Sequence, residues 1–212
     1  MTSPLRALVE TAKRLFARRS APLGRSLESE RASHFFTWFG LTPSGAPDQD
    51  ARGIWTSFRP GGTAFPKLAA LAVLTDRRGR IVETRLGLDR AFLDDRRTSP
   101  FARDLAKSFL LWALPETASA ALAPLIANIG DVAAGGATVI MRVGALDPPP
   151  PDRSGGYPVF LGTAEGIEVG DGAVRVGLRN FPGSLPPEGF HRDANAVPAG
   201  SSRWLRLDVR GI

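Results

Sequence analysis

The chain has 212 residues, 43% of them hydrophobic and 23% charged, which is ordinary globular composition with enough apolar material to bury a core. It carries 27 Lys and Arg against 21 Asp and Glu, a formal net charge of +6, and no cysteine. The missing cysteine excludes disulfides, thiolate nucleophiles and cysteine-based zinc or iron–sulfur sites. Arginines alternate with acids, as in Asp76-Arg77-Arg78 and Asp94-Asp95-Arg96-Arg97, so the positive balance does not by itself specify a nucleic-acid partner.

The first predicted element is an amphipathic helix over 3–18. Leu5, Leu8, Val9, Ala12, Leu15 and Phe16 fall on one helical face, with Arg6, Glu10, Lys13 and Arg14 on the other. Arg18 and Arg19 suit its C-terminal end, where cations complement the helix dipole. Leu5, Leu8, Val9, Leu15 and Phe16 are the candidate partner-binding face, whether for another protein or for a second copy of the chain. Arg6, Lys13, Arg14, Arg18 and Arg19 are candidate contacts to an anionic membrane surface or nucleic acid, with Arg25 beyond them. Charges interrupt any apolar stretch of a secretory signal in 1–19, and the longest strongly apolar run, Phe109 to Leu114, is far short of the ~20 residues that span a bilayer. The expected location is therefore cytoplasmic.

Ser26 or Ser29 is placed to cap a second helix running to Phe39, with Gly40 as its terminating glycine. Phe35, Phe36, Trp38 and Phe39 crowd its last turn as a core plug; Phe35 and Trp38 are also the candidate wall of an apolar pocket. After a polar loop, Gly53–Phe58 reads as a strand. The GGTAFPK segment that follows lacks the lysine–hydroxyl ending of a phosphate loop.

The most coherent stretch is Leu71 to Pro115. It predicts a strand from Ala69 to Thr75, a turn at Asp76-Arg77-Arg78-Gly79 and a second, half-buried antiparallel strand. Alternation assigns Val82, Leu86 and Leu88 inward, and Glu83 and Arg85 outward to solvent. Ser99 as N-cap and Pro100 at the first helical position open a strong helix. Its core stripe is Phe101, Leu105, Phe109 and Trp112, and Pro115 ends it. Further helix is predicted over Glu116–Val132 and a strand over Thr138–Val143. The prolines of 147–151 then begin a stiff linker. Short strands follow at Val159–Leu161, Gly166–Val169, Val174–Leu178 and Arg203–Val209.

These elements add up to an α+β fold: an antiparallel sheet packed by amphipathic helices, with a C-terminal extension of short β-strands. The expected organisation is an N-terminal helix and linker (1–25), a main α+β domain (26–146), a Pro/Gly-rich linker (147–157) and a small β-rich extension (158–212) packed on the main domain. No catalytic motif or metal-ligand spacing is evident, and no cofactor is predicted. His34 and His191 stand far apart in sequence, and Asp89, Asp94, Asp95 and Asp104 each have an arginine within three residues, the pattern of surface ion pairs. The leading expectation is a non-enzymatic interaction protein: an adaptor, assembly or regulatory subunit. The alternatives are association with an anionic surface through the N-terminal helix, and a small-molecule binder or enzyme at the aromatic cluster. Whether Asp94, Asp95 and His191 share a cavity is the observation that separates the last from the others.

Overall fold

The computed structural model describes residues 23–61, 69–95, 98–116, 166–170, 174–181 and 204–212. The helix expected over 3–18 lies outside them, as does the linker that follows it apart from residues 23–25. So do the Pro/Gly-rich linker, the elements expected over 117–161, and His191. Among the described residues the fold is an antiparallel sheet with a few short helices and one long one, an α+β arrangement.

In chain order the elements are α1 (Leu27–Glu30), α2 (His34–Trp38), β1 (Thr42–Pro43), β2 (Asp48–Gln49), β3 (Ile54–Arg59), β4 (Ala69–Thr75), β5 (Ile81–Asp89), α3 (Arg90–Asp94), α4 (Ser99–Ala113), β6 (Gly166–Gly170), β7 (Val174–Phe181) and β8 (Trp204–Gly211). The strands form one sheet in the order β1-β3-β4-β5-β8-β7-β6, with β2 also pairing β3. The C-terminal strands thus continue the sheet begun by the N-terminal ones: β8 lies beside β5, with Arg85 opposite Asp208 and Leu86 opposite Leu207.

The β4–β5 hairpin closes as its sequence predicts. Asp76 Oδ1 accepts from the backbone N–H groups of Arg78 (2.8 Å) and Arg80 (3.0 Å), and Gly79 turns the chain at φ +74, where a side chain would be strained. One irregularity changes the alternation. The ladder shifts between Leu74 and Thr75, so that Leu74 faces Glu83 while Thr75 faces Ile81. The extra residue of this bulge, Val82, packs with Trp55, Leu74 and Trp204, whereas Ile81 joins Leu86 and Leu88 on the opposite face. The single-sided assignment of Val82 with Leu86 and Leu88 is thereby corrected.

The expected single helix from Ser26 or Ser29 to Phe39 is two short helices with Arg31–Ser33 between them. The Ser26 hydroxyl accepts from Ser29 N–H (3.1 Å), so capping starts α1 where the sequence placed it. Gly40 ends α2 at φ +56. The helix α4 starts slightly differently from expectation: Thr98 occupies the N-cap position without a side-chain cap bond, and Ser99 is already helical, ahead of Pro100. After β5 the chain enters the helix α3, capped by Asp89 accepting from Ala91 N–H (2.8 Å).

The main core lies on the helix side of the sheet. Phe58, Leu71, Val73, Leu86, Leu88, Val176, Leu178, Leu205, Leu207 and Val209 from five strands meet Leu105, Ala106, Phe109 and Leu110 of α4. Burying each large side chain contributes roughly 1.5–3 kcal/mol in transfer terms. The buried face of α4 centres on Ala102, Leu105, Ala106, Phe109 and Ala113, which leaves Phe101 at its margin and 58% exposed. Phe101 is therefore not part of the core stripe, although Leu105, Phe109 and Trp112 are. The helix pair docks through Phe35, stacked on Trp112 at 4.8 Å, and through the Trp112 indole N–H donating to Glu30 (2.5 Å). Arg25 donates to the Ala113 carbonyl (3.0 Å) and lies 5.5 Å from the Trp112 ring centre. It is used within the fold, whereas the sequence grouped it with surface cations.

Candidate binding cleft on the charged face of the sheet

On the face away from α4, strict two-residue alternation gathers charge. From β5 come Glu83 and Arg85, from β7 Arg175 and Arg179, and from β8 Arg206, Asp208 and Arg210. Two glycines share this parity, Gly87 opposite Arg206 and Gly177 opposite Asp208, and both are buried. The ladder places Glu83 beside Arg210 and Arg85 beside Asp208, which are complementary pairs. Across β7–β8 it places Arg175 directly opposite Arg210, and Arg179 directly opposite Arg206. Like charges directly opposite each other weaken a ladder.

These residues line one cleft: Glu83, Arg85, Arg175, Gly177, Arg179, Arg206, Asp208 and Arg210, around a cavity of about 30 Å³. Its base is deeply buried, with Glu83 1%, Arg85 2% and Arg206 3% exposed. Arg175, Arg179 and Arg210 are half-buried and form its mouth. Five guanidinium groups and two carboxylates therefore face the same small volume. The outward, solvated placement expected for Glu83 and Arg85 is corrected by this burial.

The base is held by a chain of ion pairs. Glu83 is gripped on both oxygens: Oε1 accepts from Arg85 Nε (2.6 Å), and Oε2 from Arg52 (2.8 Å), which reaches in from the loop before β3. Arg85 also stands 4.8 Å from the Trp55 ring centre, with Arg52 5.5 Å from the same ring, so two cations share one indole face system. The Trp55 N–H donates to Asp50 (2.9 Å), and Asp50 in turn accepts from the backbone of Arg52 (2.7 Å) and Gly53 (3.1 Å). Burial alone would push the Asp50 carboxyl up; these N–H groups and the Arg52 guanidinium outweigh it and hold the carboxyl below its usual range. On the far side, Arg206 Nε lies 3.0 Å from Asp208 Oδ1 in an ion pair whose angles fall short of a hydrogen bond, and Arg85 is 3.7 Å from the same oxygen. Burial raises the Asp208 carboxyl above its ordinary value, opposed by the guanidiniums of Arg206 and Arg85. Trp204, next on this face of β8, is 1% exposed, and its indole N–H has no hydrogen-bond partner among the described residues.

The residues singled out from sequence lie elsewhere. Leu5, Leu8, Val9, Leu15 and Phe16, with Arg6, Lys13, Arg14, Arg18 and Arg19, fall outside the described residues. Phe35 is committed to the core against Trp112, while Trp38 is 72% exposed and stacks on His34 at 5.5 Å, so the two proposed pocket residues face different environments. Asp94 pairs with Arg90 at 3.4 Å at the end of α3, and Asp95 is exposed beside it. Among the described residues, no group of three His, Asp or Glu side chains is placed to hold a metal ion, and no helix is long and apolar enough to cross a membrane.

A sequence signal for the cleft did exist. Glu83-x-Arg85-x-Gly87, Arg175-x-Gly177-x-Arg179 and Arg206-x-Asp208-x-Arg210 are three same-parity polar runs on segments that read as strands. What they lacked was any sign that the three segments would lie side by side. Compared with protein-family models, curated proteins and solved structures, the chain matches none.

Proposed function

We propose that this chain works by binding rather than by catalysis, and that the arginine-lined cleft is where it holds an anionic group of its partner or ligand. The observation that carries this reading is the two pairs of opposed arginines, Arg175–Arg210 and Arg179–Arg206, lining a cleft that Arg85 also lines. Like charges set opposite each other repel, and an anion lying between the guanidiniums would offset that repulsion. Guanidiniums keep their protons at neutral pH, so they hold charge without exchanging it, and both oxygens of Glu83 are already engaged by arginines. That chemistry supports recognition better than general acid–base work. The expectation of a non-enzymatic adaptor, assembly or regulatory protein is kept in this form, with its contact moved from the N-terminal helix to the sheet. In the same reading, residues 158–212 act as an extension that completes the sheet of the main domain and supplies most of the cleft.

The test is the thermal unfolding of the full chain in a series of anions at constant ionic strength. Stabilisation that saturates with anion concentration and is weakened by Arg179→Gln is the expected result. Unfolding temperatures that do not depend on the anion would remove the reading.

A further inference from the structure

The cleft's dimensions and its set of arginines narrow the anion, on the premise that the cleft binds one. We infer that it takes the terminal phosphate of a monoester, with the rest of the ligand lying outside. A volume of about 30 Å³ is space for two or three water-sized groups at ~10–15 Å³ each, the scale of an oxyanion's oxygens and too little for a sugar or a base. The donors arrive from three adjacent strands: Arg85 on β5, Arg206 and Arg210 on β8, and Arg175 and Arg179 on β7. Neighbouring strands are ~4.8 Å apart, so these five guanidinium-bearing residues line the same small volume from three strands. A planar carboxylate is satisfied by a single bidentate arginine, whereas a tetrahedral phosphate dianion offers three oxygens to separate forks. Gly177 lines the cleft without adding a side chain to it.

Titration calorimetry on the full chain with phenyl phosphate, benzoate and benzenesulfonate tests the assignment, with the ring constant and only the head group varied. Phenyl phosphate binding at least tenfold tighter than benzoate is expected, as is a loss of about tenfold or more in Arg175→Gln and in Arg179→Gln. Both arginines are half-buried, and the Arg→Lys versions keep the charge while removing the fork, so weakened binding in a folded Lys variant separates recognition from collapse. Phenyl phosphate affinity should also rise between about pH 5 and 7 as the ester gains its second charge, near pH 6. Glu83 and Asp208 face the same cavity, and any effect of their own titration appears equally with benzenesulfonate, which serves as the baseline. Vesicles carrying phosphatidic acid, against neutral phosphatidylcholine, distinguish a lipid source from a soluble one. Capture lost in Arg179→Gln supports the lipid, and soluble binding without capture supports a free ester. Benzoate binding as tightly as phenyl phosphate would overturn the phosphate assignment and leave the anion reading standing. No binding of any of the anions would overturn both.

Discussion

The two faces of the sheet bury the same strands with opposite chemistry. On the helix side, β7 and β8 present Val174, Val176, Leu178, Leu205, Leu207 and Val209 to Phe109 and Leu110. On the other side, the alternate residues of those strands are Arg175, Arg179, Arg206, Asp208 and Arg210. The first face stabilises the fold simply by leaving water, at about 25 cal/mol for each Å². The second incurs a desolvation cost of several kcal/mol per ion before pairing returns any of it. A buried ion pair is commonly no better than a hydrocarbon pair of the same volume. The charged face is thus poorly explained as a stability device.

The largest effect should come from the apolar face. Phe109→Ala removes a fully buried ring that touches both Phe35 and Trp112, and is expected to cost about 3–5 kcal/mol in urea unfolding. A cost below about 1 kcal/mol would show that α4 does not anchor this core.

On the charged face, Glu83→Leu leaves Arg85 without its nearest carboxylate and is expected to cost about 3 kcal/mol. The double variant Glu83→Leu, Arg85→Met removes both ions. Arg52 keeps Asp50, and Arg206 keeps Asp208, so no partner is stranded. The double variant should therefore unfold at a urea concentration closer to the original protein than Glu83→Leu does. If it were instead the less stable of the two, the buried pair would be a net contributor and the contrast between the faces would fail.

The capping of α1 gives a smaller effect. Ser26→Ala removes the acceptor for Ser29 N–H and is expected to cost about 1 kcal/mol, read in the same unfolding assay. Ser26 also bridges to Arg80 at the base of the β4–β5 turn, so a glycine substitution, which costs a cap only a few tenths of a kcal/mol, isolates the cap from the bridge.

How much of this was legible beforehand differs between the faces for a physical reason. Local devices report themselves in sequence. Asp76 and Gly79 declare a turn, Gly40 a helix end, and the spacing of Leu105, Phe109 and Trp112 a helix face. The hairpin and α4 were readable for that reason. Phe101 was misplaced because it lies at the edge of the stripe, where a period alone cannot decide burial. Val82 was assigned to the wrong face because one bulge shifts parity, and a bulge leaves no mark in composition. The charged cleft was missed because alternation tells which residues share a face, never what covers it. Arg85 and Asp208 face each other only once β8 has crossed to β5, far along the chain. A polar parity read as solvent-facing is the right inference for an edge hairpin and the wrong one for a sheet extended from both ends.

The smallest effect is also the one that most sharply separates the faces, because only charged groups make stability depend on pH. Asp208 has its carboxyl raised by burial, against the pull of Arg206 and Arg85. The folded state therefore favours its protonated form. Its contribution is fully present below the ordinary carboxylate value of about 3.9 and is lost as pH rises through the raised folded value. Asp50 and Asp76 run the other way. Asp50 is held low as described. At Asp76 a slight burial cost is outweighed by the Arg80 backbone N–H, the Arg80 guanidinium and the Arg78 backbone N–H. Their contributions are present above the ordinary carboxylate value and are lost as pH falls through their lowered folded values. Unfolding free energy measured from pH 8 downward should first gain from Asp208 and then decline on the acid side from Asp50 and Asp76, with a maximum between. D208N should remove the first limb and D76N should shallow the second. Phe109→Ala should lower the whole curve without changing its shape, since no ionisable group enters or leaves the helix-side core. If D208N left the limb above the maximum unchanged, Asp208 would not be the group that the charged face keeps from ionising freely, and the distinction between the faces would rest on geometry alone.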